Sequence, residues 1–313
     1  MSVAPDLLRH LGGVPVASAA NYAGWWGRKI WFVDFDSGTT GAYGNDMLKP
    51  QKNLKTILDH SDFGPGDGVF IKPRAPDVSD PAAITPASAT NWSIAVADYG
   101  VSLIGTGRGP NGYMTRLQGH ASATTPTLSV NAAYVNLENL GLRRGGSTSG
   151  IVKFTYTDPG TTYGSYGCKM SNCHVRLAQA AGGVVIESAW YTELYNVVFS
   201  SCNVGLQIGA SNSVPVEIIV DWCKWISAVG DVTADINTSG AVTRISISNF
   251  IMNHAVPSGG APNRYVNIAA ASTGLVANGF TGAVDPTVAD NMTLNGVLYS
   301  NIWGDGVGPF VDA

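Results

Sequence analysis

Residues 245–252 read ISISNFIM. Apolar residues alternate with serines as far as Asn249, and the alternation then resumes one step out of phase. Strict period two marks a strand with one buried face. An asparagine at the phase slip turns the chain through a corner without a loop, because asparagine is among the few non-glycine residues that accept the left-handed conformation. The pattern recurs along the chain. VNLENLGL (135–142), CKMSNCHV (168–175) and TELYNVVF (192–199) repeat it, with Thr192 the sole inward departure. IIVDWCKW (218–225) carries Trp222 in the asparagine's place, and GLVANGFT (274–281) and VLYSNIWG (297–304) follow more loosely. The corner residues Asn139, Asn172, Asn196, Trp222, Asn249, Asn278 and Asn301 stand 23 to 33 residues apart. Self-similarity at such a period predicts a solenoid of stacked rungs, in which each corner amide meets the next.

Composition agrees with a turn-rich all-β chain: glycine is 38 of 313 residues, without a collagen-like period. Charged residues are 13% and the formal net charge is −4, so an extended basic surface for nucleic acid is not expected. No stretch reaches the ~20 apolar residues of a membrane span, and the N-terminus lacks the pattern of a secretory signal. Cys168, Cys173 and Cys223 fall on inward positions, Cys173 and Cys223 in one column two rungs apart, and are expected to be buried free thiols. Cys202 follows a strand and has no assigned place.

Residues 1–28 show no repeat and are read as an attachment segment carrying Leu7, Leu8, Leu11, Trp25 and Trp26; the solenoid is expected over 29–313. WFVDFDSG begins a strand, and KPQKNLKTIL follows with a short helix at about 50–60. Leu54, Ile57 and Leu58 of this helix form one apolar stripe suited to covering the open end of a solenoid. GPGDGVFI and GVSLIGTG begin the next rungs. A Pro/Ala/Ser/Thr-rich excursion is expected at 75–93, with longer inserts near 144–166, 204–217 and 253–266. This order of segments, followed by asparagine-cornered rungs, resembles the pectate-lyase-like right-handed parallel β-helix superfamily, and within it the spikes, tailspikes and head fibres of bacteriophage particles. The resemblance spans about residues 29–304. It implies a virion structural or adhesive protein, made in the host cytoplasm, that is a homotrimer, contacts capsid or tail proteins and touches a host surface polysaccharide. The second reading it allows is a glycan-degrading tailspike, a hydrolase or lyase.

The superfamily's enzymatic signatures are not carried over. VDWCKW lacks the histidine of the lyase motif, and NTS at 237–239 and GHA at 119–121 fail the polygalacturonase pattern. The outward positions of three rungs bring Lys169, Ser171 and His174, then Glu193, Tyr195 and Val198, then Ile219, Asp221 and Lys224 together. Glu193 and Asp221 lie one rung and two residues apart, about 8 Å between backbones. That falls in the range of roughly 6.5–9.5 Å for an inverting pair of carboxyls, and makes them the candidate catalytic residues. An exposed cluster counter-charged by Lys169 and Lys224 is the competing and favoured reading. Trp190, Tyr191, Tyr195 and Trp222 are candidates for a sugar-stacking platform, with Lys169, His174 and Lys224 beside it. The five histidines have no metal-ligand spacing, and DFDSG (34–38) lacks the later glutamate of a calcium loop, so no metal or cofactor is expected.

Overall fold

The computed structural model describes residues 29–74, 76–77, 80–81, 84–86, 91–107, 115–145, 150–155, 165–178, 182–209, 214–227, 234–254, 265–269, 271–281 and 292–304. The proposed attachment residues Leu7, Leu8, Leu11, Trp25 and Trp26 lie outside these. The chain forms a right-handed parallel β-helix with three faces. The first face stacks Ile30–Val33, Gly68–Ile71, Ser102–Gly105, Asn136–Glu138, Lys169–Ser171, Trp190–Tyr195 and Val216–Asp221. The second stacks Thr115–Gln118, Leu140–Arg143, His174–Arg176, Val198–Ser200 and Lys224–Ser227. The strand Thr243–His254 runs through the corner and belongs to both, with Gly274–Thr281 and Val297–Gly304 continuing beside it. The third face runs from Trp92–Ile94 to Met292–Leu294.

Alternation becomes columns inside the coil. On the first face Trp31, Val69, Leu103, Leu137, Met170, Leu194, Val220, Ile247 and Val276 lie in register and are all fully buried. On the second, Phe199 and Trp225 stack at 5.0 Å between ring centroids. Apolar burial along such columns supplies the main favourable free energy of the fold. One glycine is required by it: a Cβ at Gly279 would lie 1.9 Å from the Phe250 ring.

All seven corner residues are left-handed, with φ between 50° and 55°. Each corner N–H of the middle rungs is satisfied by the next rung, as in Asn172 N to Tyr195 O at 3.0 Å and Asn196 N to Asp221 O at 3.0 Å. The amide ladder is partial and lies at the surface. Asn196 donates to Asn172 at 2.8 Å and Asn301 to Asn278 at 3.2 Å, whereas Asn139 donates to the Gly105 carbonyl. Trp222 interrupts the row, and Asn249 instead donates to Asp221 Oδ1 at 2.8 Å.

The helix is shorter than the sequence reading, Leu54–Leu58, capped by the Asn53 side chain. Its Leu54, Ile57 and Leu58 join the same apolar cluster as Trp31 and Trp92. Asp67 braces this end, accepting from Trp31 Nε1 at 2.8 Å and from the Lys29 and Gly64 N–H groups. Asp34 of DFDSG accepts from the N–H groups of Asp36 and Ser37 and pairs with Lys72 at 2.7 Å, so the motif builds a turn. All four cysteines are free and buried, Cys202 included. Burial pushes the Cys173, Cys202 and Cys223 thiols up to about 12, as expected of inert interior groups.

The expected inserts need correction. Val204–Ile208 is a third-face strand and not part of an insert, and Val152–Thr155 and Trp92–Ile94 likewise belong to that face. These strands are three to five residues long and have no asparagine corner of their own, so the corner template passes over them.

Thr192 sits in register with Ile218 and Ile245, fully buried, and its hydroxyl has no hydrogen-bond partner. Thr192→Val should therefore raise the unfolding free energy by about 1 kcal/mol, read from urea denaturation. An unchanged or lowered midpoint would contradict the assignment of that hydroxyl.

Candidate functional site

The first face carries a groove of about 460 Å³ lined by Tyr134, Asn136, Glu138, Lys169, Ser171, Asn172 and Tyr195. Register explains why these side chains converge. Asn136, Lys169 and Glu193 form one outward column, and Glu138, Ser171, Tyr195 and Asp221 form the next. Lys169 pairs with Glu193 at 2.8 Å and lies 5.7 Å from the centre of the Tyr195 ring. Burial raises the Glu138 carboxyl above the ordinary carboxylate range, with Lys169 opposing it.

One edge of the groove is aromatic. Tyr134 meets Tyr166 edge-on at 5.4 Å, and Tyr166 meets Tyr191 at 5.0 Å, so three phenols climb three successive rungs. Tyr134 and Tyr191 are themselves left-handed, at φ 56° and 54°, which turns them outward at the start of their strands. Tyr134 is 57% exposed and Tyr191 38%.

The candidate residues are thus divided. Trp190 and Tyr191 lie at the beginning of the strand Trp190–Tyr195, and Tyr195 lies at its end near the corner, so the proposed platform is two edges of a groove. Trp222, 56% exposed, stands on the corner one rung further on. Glu193 and Asp221 have the expected offset, since Glu193 pairs in register with Ile219 and Tyr195 with Asp221. Their carboxylates nevertheless turn to opposite sides. Glu193 reaches back one rung to Lys169, while Asp221 reaches forward to Ser248 Oγ at 2.9 Å and to Asn249. His174 and Lys224 lie round the corner on the second face, His174 Nε2 at 2.7 Å from Ser200 Oγ.

Sequence reasoning missed Glu138, Tyr134 and Tyr166. Glu138 is an outward residue of the rung that precedes Lys169–Ser171. The tyrosines had a legible signal, since Tyr134, Tyr166 and Tyr191 precede their corner asparagines by five, six and five residues. Among the described residues no cluster of histidine, cysteine or carboxylate side chains suits a metal ion, and no helix is long and apolar enough to cross a membrane.

No protein-family model and no curated protein matches the chain. Among solved structures the chain is similar to pectate lyase Pel9A, at 10% identity and a TM-score of 0.49, over 88% of this chain and 78% of that one. It is also similar to the pectin methylesterase of Aspergillus niger, at 12% identity and 0.41, over 89% and 88%. A third likeness is to the Streptococcus pneumoniae surface protein and adhesin PfbA, at 8% identity and 0.40, over 77% and 76%. At such identities the likeness is one of fold.

Burial, and then the charges of Arg176 and Arg116, push the His174 imidazole down to about 4. Between pH 6.5 and 4 the unfolded chain takes up this proton and the folded chain does not, so stability falls on acidification across that window. His174→Gln should remove a loss on the order of 2 kcal/mol between pH 7 and pH 4.5, measured by urea midpoints. The same pH dependence in both proteins would contradict the burial of a neutral imidazole.

Proposed function

We propose that this β-helix is the shaft of a bacteriophage spike or decoration protein, a head fibre or tailspike, that binds host surface glycan without cleaving it. The particle assignment is supported by the order of segments before the asparagine-cornered rungs. In this reading residues 1–28 attach the protein to capsid or tail. The observation that carries glycan binding is the groove between the Tyr134–Tyr166–Tyr191 column and Tyr195, with Lys169 at its floor. Phenol faces stack on the apolar faces of sugars while amide and charged groups take their hydroxyls. The trimer follows the family resemblance; self-association is further supported by the last rungs, where exposed Leu275 pairs in register with exposed Leu298 and exposed Ile251 with exposed Phe280. Exposed apolar groupings of that kind are candidate interaction sites.

One observation favours enzymatic cleavage as a second reading. Glu138 has a carboxyl raised by burial within the groove, the condition for a general acid. Glu193 and Asp221 oppose it as a pair, because each carboxylate is engaged by its own partner on a different rung.

The test exposes purified protein to host capsule and lipopolysaccharide oligosaccharides. Retention without new reducing ends or unsaturated products is expected, with Tyr191→Ala and Tyr195→Ala each weakening retention about tenfold, near 1.4 kcal/mol. Product release abolished by Glu138→Gln, or by both Glu193→Gln and Asp221→Asn in folded protein, would establish the enzyme instead. Retention unchanged in the tyrosine variants would remove the groove from the account.

A further inference from the structure

We infer that the groove on the first face takes a protonated amine, and that the glycan bound there is one carrying unacetylated amino sugars. The inference rests on the glycan reading above and adds the chemical group that the groove selects. It starts from two buried polar atoms that the fold leaves without partners. Ser102 and Asn136 are direct cross-strand neighbours in one outward column. Ser102 is fully buried and its hydroxyl makes no hydrogen bond, and the buried Asn136 Oδ1 accepts none. Asn136 lines the groove. A buried acceptor is costly unless a donor reaches it, so the groove lacks a donor at that point.

Glu138 supplies the charge. It lies two residues beyond Asn136 on the strand Asn136–Glu138, about 6.7 Å away between backbones, so one small cation can touch both side chains. From Ser102 and Ile104 to Ser246 and Ser248 the two outward columns carry Glu138, Glu193 and Asp221 against Lys169 alone. Two of these three carboxylates are matched. Lys169 is bonded to Glu193 on the following rung, and Ser248 and Asn249 donate to Asp221. Among the described residues none donates a hydrogen bond to Glu138, whose carboxyl feels burial first and the Lys169 charge second. The walls beside it are aromatic. A Cβ at Gly167 would lie 2.7 Å from Tyr134 Cδ1, so the Tyr134 ring keeps its place only against a glycine. Tyr195 stands in register with Ser171 on the other side. Phenol faces beside a carboxylate and an unpaired amide oxygen suit an ammonium, which has three N–H donors and a charge to share with the rings. A hydroxyl or acetamido group would satisfy Asn136 and leave Glu138 uncompensated. A sugar carboxylate would meet like charge.

The experiment measures binding by calorimetry at pH 6 for three probes: the β-1,4-linked hexamer of glucosamine, the same hexamer fully N-acetylated, and a lysine hexamer. The glucosamine hexamer should bind about tenfold more tightly than its acetylated form, and that preference should shrink as salt is added. Glu138→Gln, checked for folding by circular dichroism, should remove the preference by weakening the amine alone. Glu187→Gln, on the third face and paired with Lys153, should leave it intact. The acetylation contrast is read on the unaltered protein and does not depend on any variant. Equal binding of the two hexamers, both weakened by Tyr191→Ala, would keep the glycan groove and overturn the amine. Binding of neither hexamer would overturn the inference, while the glycan reading stands or falls on the host oligosaccharides of its own test. A preference undiminished in Glu138→Gln, or lost equally in Glu187→Gln, would also overturn it. So would a lysine hexamer that binds more tightly than the glucosamine hexamer, since the groove would then be a site for a basic protein segment.

Discussion

From Leu137 onward the inward and outward assignments of the first two faces depend on one left-handed residue per rung at the first corner. A strand alternates its side chains, so one residue of the wrong hand between two strands resets which side faces the core. For a residue other than glycine the left-handed conformation costs roughly 1–2 kcal/mol. The coil offsets this by giving the corner N–H to a carbonyl of the next rung, and in places by joining amide to amide. Trp222 separates the two contributions: it has no amide to offer, yet it adopts φ 55°. The backbone geometry is the requirement, and the asparagine is the residue that meets it at least cost.

A second row of left-handed residues opens the first face, comprising Gly100, Tyr134, Gly167, Tyr191, Glu217 and Arg244. Where that position is tyrosine, the ring is carried to the edge of the groove. The surface is thus sorted along the axis as well as round it. The middle rungs present phenols, Lys169 and carboxylates on one face and guanidinium groups on the next, while the last rungs expose Leu275, Phe280 and Leu298. In the proposed function the polar rungs meet the glycan and the apolar rungs meet other copies of the chain.

The first two faces were legible in the sequence from residue 135 onward because each coil there prints them as eight residues around a corner. The interior columns of those rungs, the seven corners and the burial of Cys168, Cys173 and Cys223 follow from that template alone, while that of Cys202 does not. The third face was not legible. Val204–Ile208 and Val152–Thr155 are short, and nothing like the asparagine corner marks where they begin. The site was legible in part for a related reason. Tyr195, Lys169 and Glu193 stand at outward positions of template rungs, and register brings them together. Tyr134 and Tyr166 precede their templates, and the stacked coil shows that Tyr166 lies between Tyr134 and Tyr191. The opposed directions of Glu193 and Asp221 depend on which rung supplies each partner, which spacing along the chain does not encode.

The corner can be tested by a comparison whose sign is unusual. In an ordinary strand or helix, glycine is less stable than alanine by roughly 0.5–1 kcal/mol. At a left-handed corner the order reverses, because alanine bears the steric cost and glycine does not. The most direct measurement is the urea unfolding free energy of Asn249→Gly and Asn249→Ala side by side. The glycine variant should be the more stable by about 1 kcal/mol, with both below the parent through loss of the bond to Asp221. An alanine variant equal to or more stable than the glycine variant would contradict the left-handed corner, and with it the phase between the first and second faces.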